Sequence, residues 1–233
     1  MPTIDLSHVL HGQFLAWLLA GVKLSLLLTL IALLSSLPLA TLVALARLSP
    51  VRVVNRLAWG YVETVRNVPL LAHLLFWYFA VPELLPEDFK AWLYAGHIEA
   101  IAAVSALVVY TTAYMAEDIR SGIRSVPHGQ WLAARSLGMG WGALVRWVVL
   151  PQAVRAIVPP LISQTLNLWK NTSIASVIGT AELMTQAQRV ESASFRGFET
   201  FLAATLVYLS VSLAITAAGT FYQWRYPVRA ASR

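Results

Sequence analysis

The sequence predicts an all-α, polytopic membrane fold of five spans, one domain over residues 1–233. Three observations predict it. Hydrophobic residues make up 58% of the 233 positions and charged ones only 12%, about half the charged share of a soluble domain. Long apolar runs recur at the roughly 20 residues that a helix needs to cross a hydrocarbon core about 30 Å thick. Basic residues cluster between those runs, so the formal charge of +6 reads as membrane topology and not as a nucleic-acid footprint. The chain has no cysteine, which excludes disulfides and thiolate metal sites. No cleavable signal peptide is expected, because a short start containing Asp5 leads straight into an apolar segment.

The first span is expected at about 14–46. That is too long for one upright crossing, so either Pro38 bends it or its start lies along the interface. The second is expected at about 57–81, the third at about 98–119 and the fifth at about 200–224. The fourth, about 153–180, is more polar but keeps helical spacing. Five crossings put the chain ends on opposite sides. Segments 47–67, 120–155 and 225–233 hold twelve Lys or Arg; with the adjoining Glu117 and Asp118 they hold three acids, Glu63 being the third. The remainder holds five basic residues and eight acids. The excess of positive charge on inner loops places the N-terminus outside and the C-terminus inside. The acidic stretch Pro82-Glu83-Leu84-Leu85-Pro86-Glu87-Asp88 then lies outside, and a loop of about 120–151 lies inside. The chain is too short for the two related halves of a common secondary transporter.

The inner loop carries the most information. Two helically spaced stretches, 129–137 and 141–149, flank Gly138-Met139-Gly140. Glycine there permits backbone angles closed to other residues, and Pro151 ends the second stretch or opens the next span. Ala133 and Ala134 permit close approach, while Trp131, Leu137, Trp141 and Trp147 offer apolar anchors. Taken alone, the pattern suits a segment lying on lipid, with Arg135 and Arg146 at headgroups, as well as a protein dock.

The order Ala133-Ala134, Gly138, Val148 and Leu150-Pro151 resembles the coupling signature of binding-protein-dependent ABC importer permeases. Val65-Arg66-Asn67-Val68-Pro69-Leu70, Ala116-Glu117-Asp118-Ile119-Arg120-Ser121-Gly122-Ile123, Leu150-Pro151-Gln152-Ala153, Val158-Pro159-Pro160 and Lys170-Asn171-Thr172-Ser173-Ile174 extend the likeness over roughly residues 14–224. Together they resemble the polar amino acid uptake branch. The chain departs at Leu132, where the signature has Glu, which leaves docking there to shape. The resemblance implies a type I importer transmembrane domain whose coupling residues are Gln130, Ala133, Ala134, Gly138, Leu150 and Pro151. It also implies a pair of cytoplasmic ATP-binding subunits, a second permease (same or homologous), an external amino acid-binding protein and a bacterial inner membrane. The chain has no Gly-rich phosphate loop followed by Lys-Ser or Lys-Thr. ATP is therefore expected to be used by the partner, with no cofactor, metal or catalytic residue in this chain. The run from Ile157 to Asn171 is most similar to permeases for glutamate or aspartate.

On the fourth span, Ser163, Gln164, Asn167, Lys170 and Asn171 fall on one side at 100° per residue, and Leu161, Ile162, Leu166 and Trp169 largely on the other. Polar groups in a bilayer normally face a bundle interior or a water-filled cavity. Gln164, Asn167, Lys170 and Asn171 are accordingly the expected substrate pathway. Lys170 lies fifteen residues past Arg155, about 22 Å along the axis, which sets it toward the outer half. Two plainer roles compete: Lys170 snorkelling to the interface, and the amides gluing helices together. Glu117 and Arg120 are spaced for an ion pair on one helix. His97 and Glu99 are expected outside and His73 mid-span, the lone histidines reading as structural, with Arg66 as an inner anchor and Trp17, Trp92, Trp131 and Trp224 as interfacial aromatics. A self-sufficient homo-oligomeric channel or carrier, or a scaffold for a cytoplasmic enzyme, would share this composition. Flux without ATP, or docking without flux, would mark them.

Overall fold

The structure is a computed structural model and describes residues 5–96 and 98–227. His97 and the terminal Arg229 and Arg233 of the charge argument lie outside the described residues. Among the described residues every regular element is helical. Four helical stretches are long and apolar enough to cross a membrane: 12–48, 98–124, 141–178 and 197–225.

Helix α1, Gly12–Leu48, runs unbroken through Pro38 and is about 55 Å long at 1.5 Å per residue. Its buried positions form one stripe, with Gly21, Ser25, Ala32, Ser36, Ala40 and Ala44 among them. Leu19, Leu26, Leu30, Leu34 and Leu42 stay exposed on the other side. Small residues let backbones approach where lipid supplies no hydrophobic drive; the leucines are what a lipid-facing surface requires.

The predicted span at 57–81 is not one helix. Helix α2, Arg52–Arg66, stops before Pro69, and helix α3, Leu70–Leu75, starts after it and widens into a π turn at Phe76–Ala80. Proline lacks the N–H a continuous helix needs and pushes the preceding residue out of helical angles. The two pieces run in series beside helix α5, Ile98–Arg124, in opposite direction. Val62 packs with Met115, Ala116 and Ile119, Leu70 with Leu107, and Leu74 with Ala102 and Ala106. The acidic loop contributes a short helix, α4, Glu87–Tyr94, with Lys90 paired to Glu83. Helix α5 is the bundle's centre and extends five residues beyond its expected end.

The loop after α5 folds as helix α6, His128–Ser136, then α7, Trp141–Leu144, and a π turn Val145–Val149 that joins α8, Leu150–Asn171. Both stretches with helical spacing form as expected, within a residue or so. The fourth predicted span, 153–180, is α8 followed by a 3-10 stretch Thr172–Ile178, which Gly179 ends at φ 82°. Where the sequence suggested only loop, α9, Leu183–Ser194, packs between the N-terminal half of α1 and the start of α10, Gly197–Arg225. It escaped notice because it is too short and too polar to count as a span. Its buried residues Leu183, Ala187 and Val190 nevertheless follow the 4 and 3 spacing of an amphipathic helix.

One cluster at the basic end joins Ala40 and Ala44 of α1, Val62 of α2, Ala116 of α5, Ala134 of α6 and Ile157 of α8. Gly122 makes that meeting possible: a Cβ there would run into Ile157.

Candidate functional site: a polar cavity on α8 and a docked loop

Gln164, Asn167 and Asn171 of α8 are brought together on one wall of a cavity of about 240 Å³. Its other wall is Tyr110, Thr111 and Tyr114 of α5. At roughly 30 Å³ per water this is room for about eight waters, the scale of one amino acid. Gln164 Nε2 donates to Asp118 Oδ2 at 2.9 Å, tying α8 to α5 beside the cavity. Tyr110 donates to the Tyr114 hydroxyl at 3.1 Å, and Tyr114 to the Arg66 carbonyl at 3.3 Å. The Arg66 guanidinium stacks 5.2 Å from the Tyr114 ring centre. The lining side chains are amides, hydroxyls and Leu168, with no charged group. Lys170 is exposed and is not part of this lining; Ser163 bonds back to the Pro159 carbonyl at 3.4 Å. Asp118 and the two tyrosines were missed as site residues in the sequence. Thr111, Tyr114 and Asp118 recur at the 3 and 4 spacing of one helix face, which was the signal to follow.

The loop is held from behind and bare in front. Gly138 has φ 74°, and its N–H reaches the Arg135 carbonyl at 2.9 Å while that of Met139 reaches Ala134 at 3.2 Å. This pair of bonds is a Schellman ending, in which glycine takes the left-handed position. Ala134 is buried against Val126, Leu144 and Val149, and the Trp131 and Trp141 rings lie 5.6 Å apart. Gln130, Ala133 and Gly138 stay exposed, as do Leu132 and Leu137. Leu150 and Pro151 open α8 and are exposed too. Of the two alanines, then, one anchors the loop and one faces outward.

Two clusters built on a buried or half-buried Glu complete the picture. Glu117 pairs with Arg120, as the spacing implied, and also with Arg47 of α1 at 3.4 Å. Glu182 was not foreseen at all. It is fully buried at the start of α9, where Tyr208 donates to its Oε2 at 3.0 Å, Ser25 at 3.3 Å, and the Thr185 N–H to Oε1 at 2.9 Å. Trp169 Nε1 donates to the Tyr208 carbonyl at 3.2 Å. One carboxylate thus joins α1, α9 and α10, with α8 next in line. His73 bonds the Val65 carbonyl at 3.1 Å, in keeping with a structural role.

Residues 36–225 match the family described as binding-protein-dependent transport system inner membrane component. The chain belongs to this family. The glutamate/aspartate import permease of Escherichia coli K12 is 34% identical over 88% of this chain and 85% of its own length. A probable glutamine ABC transporter permease of Bacillus subtilis 168 is 36% identical over 92% and 96%. A crystal structure of an amino acid ABC transporter with histidines contains a chain superposing at TM-score 0.84. That chain shares 30% identity, over 96% of this chain and 99% of its own length. A methionine ABC transporter in an inward-facing conformation shares the fold at TM-score 0.68 and 18% identity. The permease is thus a multi-pass inner-membrane subunit of an amino acid ABC importer. Permeases of this family are not enzymes; they work with separate ATPase subunits, a second permease and a substrate-binding protein.

Proposed function

We propose that this permease moves amino acids past the α5–α8 cavity, with Gln164, Asn167 and Asn171 meeting the substrate, and that α6 is the helix on which the ATPase acts. The observation that carries the first part is the cavity itself. Three amides, expected from spacing alone to share a path, line one pocket with three hydroxyls facing them. Amide N–H and phenol O–H groups donate to carboxylates, and the amide carbonyl and phenol oxygens can also accept. Glutamate or aspartate is the favoured substrate, in line with the Escherichia coli relative. Glutamine is the competing reading, because the Bacillus subtilis relative is equally similar and amides pair with amides. Lys170, exposed one residue before Asn171, is assigned to the approach, where an ammonium favours an anionic substrate.

The second part rests on the loop: Gln130, Ala133 and Gly138 exposed, Ala134 locked into the bundle, Leu150 and Pro151 leading into α8. ATP-driven closure beneath two such loops would tilt the spans as rigid bodies. We assign the N-terminus to the outside and five crossings to the chain, with α2 and α3 together making the second.

The test is uptake of labelled glutamate, aspartate and glutamine by the complete importer in proteoliposomes, with and without internal ATP. ATP-dependent uptake competed best by an acidic amino acid supports the whole reading. Best competition by glutamine reverses the substrate assignment alone. Equal flux without ATP would point to a self-sufficient channel.

A further inference from the structure

At the basic end lies a second, larger cavity of about 890 Å³ that the transport reading does not use. Its walls are Leu45 and Leu48 of α1, Ile123 at the end of α5, and Val145 and Val149 of the π turn. The paired rings of Trp131 and Trp141 close one side. The volume is at the upper end for a small-ligand pocket, about 300–1,000 Å³, and most of the lining is aliphatic or aromatic. The charges at its edge are of one sign. Arg124 is exposed there with no acidic partner among the described residues, His128 stands beside it, and the Ser49 and Ser125 hydroxyls complete the polar rim. No Asp or Glu lines the groove.

An apolar trough below a cationic rim, at the C-terminal ends of the apolar helices α1 and α5, matches the two ends of an anionic phospholipid. Basic pockets between membrane helices on the cytoplasmic side take such headgroups, and tryptophan sits well at that depth. A free anion would leave the apolar trough unfilled, and a zwitterionic lipid, whose own cation offsets its phosphate, would gain less from Arg124 than an anionic one. We propose that this groove binds one anionic phospholipid of the inner leaflet, with the headgroup on Arg124 and His128 and acyl chain between α1 and the π turn. Because Trp131 and Trp141 belong to α6 and α7, the lipid would brace the loop from behind, on the side away from Gln130 and Ala133. The proposal rests on the inside placement of α6 assigned above.

The complete importer is reconstituted in bilayers of phosphatidylcholine alone or with phosphatidylglycerol, gently extracted, and its retained lipid identified by native mass spectrometry. Wild type should retain phosphatidylglycerol over phosphatidylcholine. Arg124→Gln should lower that preference about fivefold, the worth of one basic residue at a membrane surface. Arg124→Lys should restore it, and Leu48→Trp should expel the lipid by filling the trough. Arg225→Gln, exposed but outside the groove, should change nothing. Equal retention of both lipids, or the same retention in Arg124→Gln and Leu48→Trp as in wild type, overturns the proposal. So does cross-linking of a Leu48→Cys probe to an ATPase or a second permease in place of lipid. Retention is read without reference to sidedness, so cysteine labelling of α6 from outside would separately sink the orientation.

Discussion

Glu182 shows how much one side chain can hold in this molecule. Its two oxygens receive Tyr208, Ser25 and the Thr185 N–H, and removing them strands three donors, the Ser25 hydroxyl fully buried and the other two half-buried. Each stranded donor costs about 1–3 kcal/mol in a typical interior, and about 0.6 kcal/mol on average where a membrane-embedded reference state finds substitutes. Glu182→Ala should therefore lose roughly 2–5 kcal/mol, seen as a clear fall in the melting temperature of the detergent-solubilised complex. Glu182→Gln keeps one acceptor oxygen and should lose less. The same residue marks the limit of reading from sequence. Its hydroxyl partners stand 157 residues before it and 26 after it, and no local pattern announces that they meet. Gln164, Asn167 and Asn171 were legible because they repeat along one helix. For the cavity, Asn167→Leu should raise the KM for uptake several-fold with folding intact. Lys170→Ala should do so for acidic substrates and spare glutamine; equal effects on both would remove Lys170 from the approach.

At the scale of elements, the loop was the most legible piece and the second span the least. Gly138 could be read as a helix ending because a glycine two residues past α6 is where a left-handed angle is needed, and φ 74° is what it adopts. Gly138→Ala should cost about 1–2 kcal/mol, the penalty of a Cβ at a left-handed angle, and leave ATP-driven uptake running. Gly138→Asp places a charge on the exposed face as well, and should leave ATP hydrolysis proceeding while uptake falls. Normal ATP-driven uptake by Gly138→Asp would dismiss α6 as the drive point. The apolar run at 57–81 concealed a break because hydropathy averages over Asn67 and Pro69, while the backbone cannot. Helix α9 was hidden by the opposite bias, since a span criterion discards a short amphipathic helix whatever it packs against.

For the whole molecule, the charge distribution makes the sidedness directly measurable. The chain has no cysteine, so a single introduced thiol reports its own side. Leu84→Cys and Phe195→Cys, both at highly exposed positions, should react with an impermeant maleimide on intact cells. Leu137→Cys, also highly exposed, should react only after the membrane is opened. The reverse pattern would invert the topology. Composition and positive charge were enough to predict a membrane bundle. The packing order of the helices was not, because small residues that touch and leucines that meet lipid count alike as apolar.

The continuous cluster at the basic end has a mechanical consequence. Ala134 of α6 shares close-packed neighbours with α1, α2, α5 and α8, and close-packed interiors transmit strain with little give. A displacement applied at α6 would therefore pass through Ala134 into those helices, and that end of the bundle would swing as a lever. Flexing must then fall where helical hydrogen bonding is interrupted: Asn67–Pro69 between α2 and α3, and the 3-10 stretch at Thr172–Ile178. Asn171 adjoins that second joint and Gln164 lies about 10 Å from it along α8, so a rotation of α8 about the joint would widen or narrow the cavity more at Gln164 than at Asn171.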